Sequence, residues 1–139
     1  AGAAQAQSQT PSASSPEAPV SLASTISRQA NLEGRVLWMD ATANLRRLST
    51  RDGIIDVMEK ARRANINTVV VDVKPLSGHV LFDSAVAPRL KEWRGFEYPP
   101  DHDLLLNCIM EARRRGMRVY AAFKVFSEGH KLVKSGPLY

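Results

Sequence analysis

Cysteine is almost missing from this sequence. Cys108 stands alone among 139 residues, which excludes an intrachain disulfide framework. Histidine is nearly as scarce. His79, His102 and His130 lack the H-E-x-x-H spacing of a metal-binding helix, so neither a metal nor another cofactor is expected. No apolar run reaches the roughly 18 residues that a membrane span needs. Acids are outnumbered: 14 Asp and Glu against 19 Lys and Arg leave a formal charge of +5. That balance suits an anionic partner. However, Arg62, Arg63, Arg113, Arg114 and Arg115 fall near predicted helix C-termini, where cations complement the helix dipole. No nucleic-acid recognition motif accompanies them, and no nucleic-acid partner is expected. Glycine is missing from Ala41–Asn44, just after the first predicted strand, which argues against the phosphate loop of a nucleotide-binding Rossmann unit.

What is present centres on Asn67–Lys74, N-T-V-V-V-D-V-K. This β-branched run ends in two charges and has apolar residues on both faces, as a parallel strand covered on both sides does. Alternation puts Val70, Asp72 and Lys74 on one face and Val69, Val71 and Val73 on the other. Charges at the carboxyl end of a buried parallel strand must pair or face a cleft, and in α/β folds that end is where ligands bind.

Ala1–Ser27 differs from the rest. It is rich in Ala, Ser, Gln and Pro and carries one charge, Glu17, so residues 1–33 are expected to form a disordered tail. Ala4-Gln5-Ala6 has the small-x-small form that precedes signal-peptidase cleavage. The tail therefore reads either as an export-signal remnant with a tether or as a plain low-complexity linker.

Order is expected from Gly34 onward, in one domain. Arg35–Ala41 reads as a first strand, with Trp38 and Asp40 on one face and Asp40 at the carboxyl end. A polar loop follows. Ser49 or Thr50 then caps a helix over Thr50–Ala64, whose buried face is Ile54, Val57, Met58 and Ala61. After Asn67–Lys74 comes a long insertion, Pro75–Pro100, holding Phe82, Trp93, Phe96 and Tyr98. Asp101 or Asp103 caps a second helix over Asp101–Arg115, with Cys108 on its apolar stripe and Gly116 at its end. Arg118–Phe126 is a third strand on which Tyr120, Ala122 and Lys124 share a face. The order β-α-β-loop-α-β predicts an α/β fold with adjacent parallel strands. Asp40, Asp72, Lys74 and Lys124 should then meet at one polar mouth.

These motifs together resemble the glycosyl hydrolase-like family 10, bacterial envelope proteins with a (β/α)8 TIM barrel. The resemblance rests on R-V-L-W-M-D at Arg35–Asp40, N-T-V-V-V-D-V-K, S-G-H-V-L-F-D-S at Ser77–Ser84, Trp93-Arg94-Gly95, and the helix and strand of Asp103–Phe123. Departures are Arg113 where the family often has histidine and Tyr120-Ala121-Ala122 in place of H-A-W. Lys124 stands at an asparagine position and Lys74 at an arginine position, both still polar donors. The resemblance implies three strands and two helices of an eight-stranded barrel, hence an amino-terminal fragment of a longer glycoside hydrolase-like protein. It implies a glycan substrate of the cell wall or another polysaccharide, and a secreted, periplasmic or cell-envelope location. The main catalytic carboxylates would lie on later strands, leaving this segment inactive alone. Asp40, Asp72, Lys74, Tyr120 and Lys124 are the expected substrate-binding residues, and Asp72 the candidate for catalysis. An Asp72–Lys74 ion pair closing the strand end is the structural alternative, and Glu128 reads as a solvated loop charge. A non-catalytic glycan-binding module is the other functional reading, with Trp93, Phe96 and Tyr98 either stacking on sugars or pinning the long loop.

Overall fold

A computed structural model describes residues 33–131 together with 25, 26, 29, 30, 134 and 136–138. The expected tail therefore falls almost entirely outside the described residues. Within it, Thr25, Ile26 and Gln29 are helical, and the Ala30 N–H donates to the Ile26 carbonyl. Gly34–Tyr139 forms a compact unit of its own.

In chain order the elements are β1 (Val36–Met39), α1 (Leu45–Leu48), α2 (Arg51–Arg63), β2 (Thr68–Lys74), β3 (Glu92–Trp93), β4 (Phe96–Glu97), α3 (Leu104–Arg113) and β5 (Arg118–Phe123). β1, β2 and β5 make a parallel sheet with β2 in the centre, in register through Trp38, Val70 and Tyr120. β3 and β4 form a separate antiparallel hairpin.

One sheet face is covered. Met39, Val69, Val71 and Val73 are buried in a single cluster with Ile54, Met58 and Ala61 of α2 and Leu104, Cys108 and Ala112 of α3. Each large aliphatic side chain sealed there contributes about 1.5–3 kcal/mol. Cys108 belongs to this core, and burial pushes its thiol up to about 12. The other face is open: Trp38 is 64% and Tyr120 55% exposed. Strands added in chain order, with both crossover helices on one face, are compatible with part of a barrel.

The helix caps are Thr50, whose hydroxyl accepts from the Gly53 N–H at 3.1 Å, and Asp103, which accepts from the Leu106 N–H at 2.7 Å. Asn65 ends the first crossover in the left-handed region at φ 60°. Three elements depart from expectation. The polar loop after β1 contains α1, which buries Leu45 and Leu48; one i, i+3 leucine pair is too short to show periodicity. The insertion is packed rather than loose: Val80, Leu81, Leu90 and Tyr98 are buried, and it contributes the β3–β4 hairpin. β5 stops at Phe123, three residues early, because the carbonyls of Lys124, Val125 and Ser127 turn toward the Lys74 ammonium.

Four of the five helix-end arginines, Arg62, Arg63, Arg114 and Arg115, have carboxylate partners. Glu111 on α3 is 3% exposed and receives Arg115 at 2.9 Å, Arg114 at 2.8 Å and Arg51 of α2 at 3.1 Å. Arg115 also reaches Glu59 of α2 at 3.2 Å, and Glu59 receives Arg62 and Arg63. This network joins the two helices over the core. The hydrogen bond from Arg115, with those of Arg51 and the charge of Arg114, holds the Glu111 carboxyl below its ordinary 4.5. A depressed folded-state value stabilises the fold above the unfolded value and loses that contribution as pH falls through the folded one. Glu111→Gln should therefore lower Tm at pH 7, and the gap from the parent should narrow steadily below pH 4.5, as read by thermal unfolding at several pH values.

Candidate functional site at the strand ends

The mouth is built where β2 gives out. Asp72 is 2% exposed, and its Oδ2 receives the Lys124 ammonium from the residue after β5. Its Oδ1 is buried and has no partner among the described residues. Lys74 donates to Ser127 O at 2.9 Å and to Glu128 Oε1 at 2.5 Å. The alternative of an Asp72–Lys74 ion pair is not formed; two pairs to the segment after β5 take its place. Residues i and i+2 of a strand are within reach of a lysine stem, but each of these charges has its partner off its own strand. The register also shifts between Asp72 and Lys74, so Lys74 opposes Phe123. Such an irregularity re-aims side chains beside a site. Glu128 is correspondingly an ion-pair partner rather than a lone solvated charge.

Asp40 follows β1 and closes a turn. Its Oδ1 accepts from the Thr42 hydroxyl at 2.8 Å and the Ala43 N–H at 3.0 Å, while its carbonyl accepts from the Asn44 amide at 3.0 Å. Burial alone raises its carboxyl, but the Ala43 and Thr42 hydrogen bonds outweigh it, and the Lys124 charge adds to hold it below the ordinary value. Asp72, Lys74 and Lys124 are joined across β2 and β5, and Asp40 stands at the end of the neighbouring β1. Tyr120 lies deeper on the open face, opposite Val70.

Two loops meet at this rim through Gly78. It sits at φ +80°, and a Cβ there would lie 2.8 Å from the Glu128 Cα and 2.9 Å from Ser127 O. The loop after β2 can approach the loop after β5 only because that atom is missing. Of the expected loop aromatics, Tyr98 is a pin: it is buried, donates to Leu81 O at 3.4 Å and carries Arg89 over its ring. Trp93 and Phe96 are half-buried and also pack against the core, while lining a cavity of about 400 Å³ with Arg46 and Arg94. Sequence reasoning missed the two arginines, because α1 and the hairpin that bring them together are both short.

A parallel sheet with helices on one face and its polar groups gathered at the strand carboxyl ends defines an α/β protein with a polar rim. The model of the Glycosyl hydrolase-like 10 family matches residues 33–137, and the chain belongs to that family. The chain is also 29% identical over 100 residues to an S-layer-related protein of Niallia circulans, a match covering 68% of this chain and 6% of that protein. The chain thus spans only a small part of the length of this relative. No helix among the described residues is long and apolar enough to cross a membrane.

The pairing of Asp72 has a direct test. Lys124→Met leaves a buried carboxylate without a partner and should cost about 1–3 kcal/mol in urea unfolding. Removing both charges, as Asp72→Leu with Lys124→Met, should recover most of that loss.

Proposed function

We propose that this chain is the amino-terminal part of a glycan-acting (β/α)8 barrel of the cell envelope, in which Asp72 orients the sugar. The observation that carries the reading is the Asp72–Lys124 pair at the end of the central strand, which holds the partly exposed Lys124 ammonium at the rim. A lysine fixed by a buried carboxylate, with its own side chain 41% exposed, suits a sugar hydroxyl acceptor, so Asp72 acts on the sugar through Lys124. Membership of a glycosyl hydrolase-like family supports a polysaccharide substrate, and the S-layer-related relative supports an envelope location. The open face of Val36, Trp38 and Tyr120 is the surface that further barrel strands would cover.

Hydrolysis of a glycosidic bond ordinarily needs two carboxyl groups flanking it. Asp40 is engaged by its own turn, Glu128 by Lys74 and Asp72 by Lys124, so each of these acids is committed to a partner within the chain. The reacting carboxylates belong on later strands of a longer protein. That same observation also favours a second reading, a glycan-binding barrel without catalysis.

In a longer protein carrying this chain, Asp72→Asn should reduce hydrolysis of, or affinity for, cell-wall glycan by roughly 10- to 100-fold. That range corresponds to the roughly 1.5–3 kcal/mol of a hydrogen bond to a charged group. Tm should change little, because Asn keeps the shape and a carbonyl acceptor for Lys124. Loss of stability in proportion to activity would assign Asp72 to the fold alone. Loss of binding in a protein that never hydrolyses glycan would favour the second reading. The 139-residue chain by itself should release no sugar from cell-wall glycan.

A further inference from the structure

We propose that the cavity between the loop after β1 and the β3–β4 hairpin is a subsite for a sugar residue bearing a carboxylate. This inference rests on the glycan reading above and adds the charge of the ligand.

The cavity, about 400 Å³, falls within the usual range for small-molecule sites and is roomy enough for a sugar ring. Phe96 and Trp93 supply its apolar surface. The Arg46 guanidinium lies 4.8 Å from the Phe96 ring centre, and that of Arg94 lies 5.6 Å from the Trp93 ring centre. Neither arginine has a carboxylate partner among the described residues. Arg47, on the same wall, differs: its charge is spent on Asp56 at 2.5 Å. A guanidinium held by a ring face keeps the N–H donors at its edge, in the fork geometry that matches a carboxylate. Of the hairpin acids, Glu92 accepts from the Gly95 N–H at 3.0 Å.

The backbone supplies an independent observation. The hairpin turns through Arg94 at φ 50° and Gly95 at φ 74°. A two-residue turn with both central residues at positive φ takes Asn, Asp or Gly at its first position. A Cβ on Gly95 would meet nothing within 4 Å, so the strain here is purely conformational. Arg94 holds this position against local preference, at the lip of a cavity where its charge is unmatched. The cavity also adjoins the Asp40 turn, since Thr42 and Asn44 line it and bond Asp40. A glycan laid along the rim past the Asp40 turn would therefore reach Arg46 and Arg94.

The test uses the full-length protein that carries this chain, with titration calorimetry of tetragalacturonate and of its methyl ester, which keeps the rings and masks the charge. The acid form should bind at least about tenfold tighter at low salt, and Arg94→Asn should remove most of that preference. Asn is favoured in this turn, so the variant should keep or raise Tm, and a loss of binding is not a loss of fold. Arg46→Gln should act in the same direction. Equal affinity for acid and ester, an intact preference in Arg94→Asn, or equally strong competition by inorganic phosphate would overturn the carboxylate subsite and leave the glycan reading standing. Binding of neither form, with neutral cell-wall glycan also unbound, would overturn both.

Discussion

The architecture of the rim follows from one electrostatic constraint: a carboxylate buried on the central strand must be paired. Asp72 is almost inaccessible, and its counter-ion comes from Lys124, beyond the end of the neighbouring strand. Lys74 makes the reverse connection, from β2 into the segment after β5, and collects three carbonyls and Glu128. The two lysines therefore tie the strand ends together from opposite sides. This arrangement ends β5 and sets the course of the following loop. It also brings that loop so close to Gly78 that no side chain fits there. The pairing holds the partly exposed Lys124 at the rim, while Asp72 itself stays sealed beneath it.

The body beneath the rim is asymmetric for a related reason. Helices α2 and α3 cover one face of the sheet and are joined to each other through Glu111, Glu59 and their arginines. Those charges lie over the apolar core rather than inside it, and most of the guanidiniums remain in contact with water, which limits their desolvation cost. The opposite face presents Trp38 and Tyr120 to solvent. Large aromatic side chains in one row of a parallel sheet suit the interior of a closed structure better than an outer surface. The family to which the chain belongs and the open face thus lead to the same expectation about what surrounds this segment.

Much of the fold was legible in the sequence because short-range physics dictates it. Val69, Val71 and Val73 alternate with Val70 and Asp72, and the structure buries the first set against helices as alternation requires. Thr50 and Asp103 cap the helices that follow them, since a side-chain oxygen next to unsatisfied N–H groups forms a cap wherever it occurs. Elements too short to repeat a pattern escaped notice: α1 offers a single leucine pair, and the β3–β4 hairpin has two residues a strand. The arginine-lined cavity exists only through those two elements.

For the site, the sequence by itself determined which charges stand at the strand ends: Asp40, Asp72, Lys74 and Lys124 are carried there by strand parity. It did not determine their partners. Asp72 and Lys74, two residues apart, looked like a pair. The tertiary structure assigned Asp72 to Lys124 and Lys74 to Glu128, and it committed Asp40 to its own turn. The reason is geometric. Alternation along a strand depends on the backbone of that strand alone, whereas an ion pair depends on a distance of about 3 Å. Neighbouring strands, their register shift and the loops beyond them set that distance, and none of these is encoded within the strand itself.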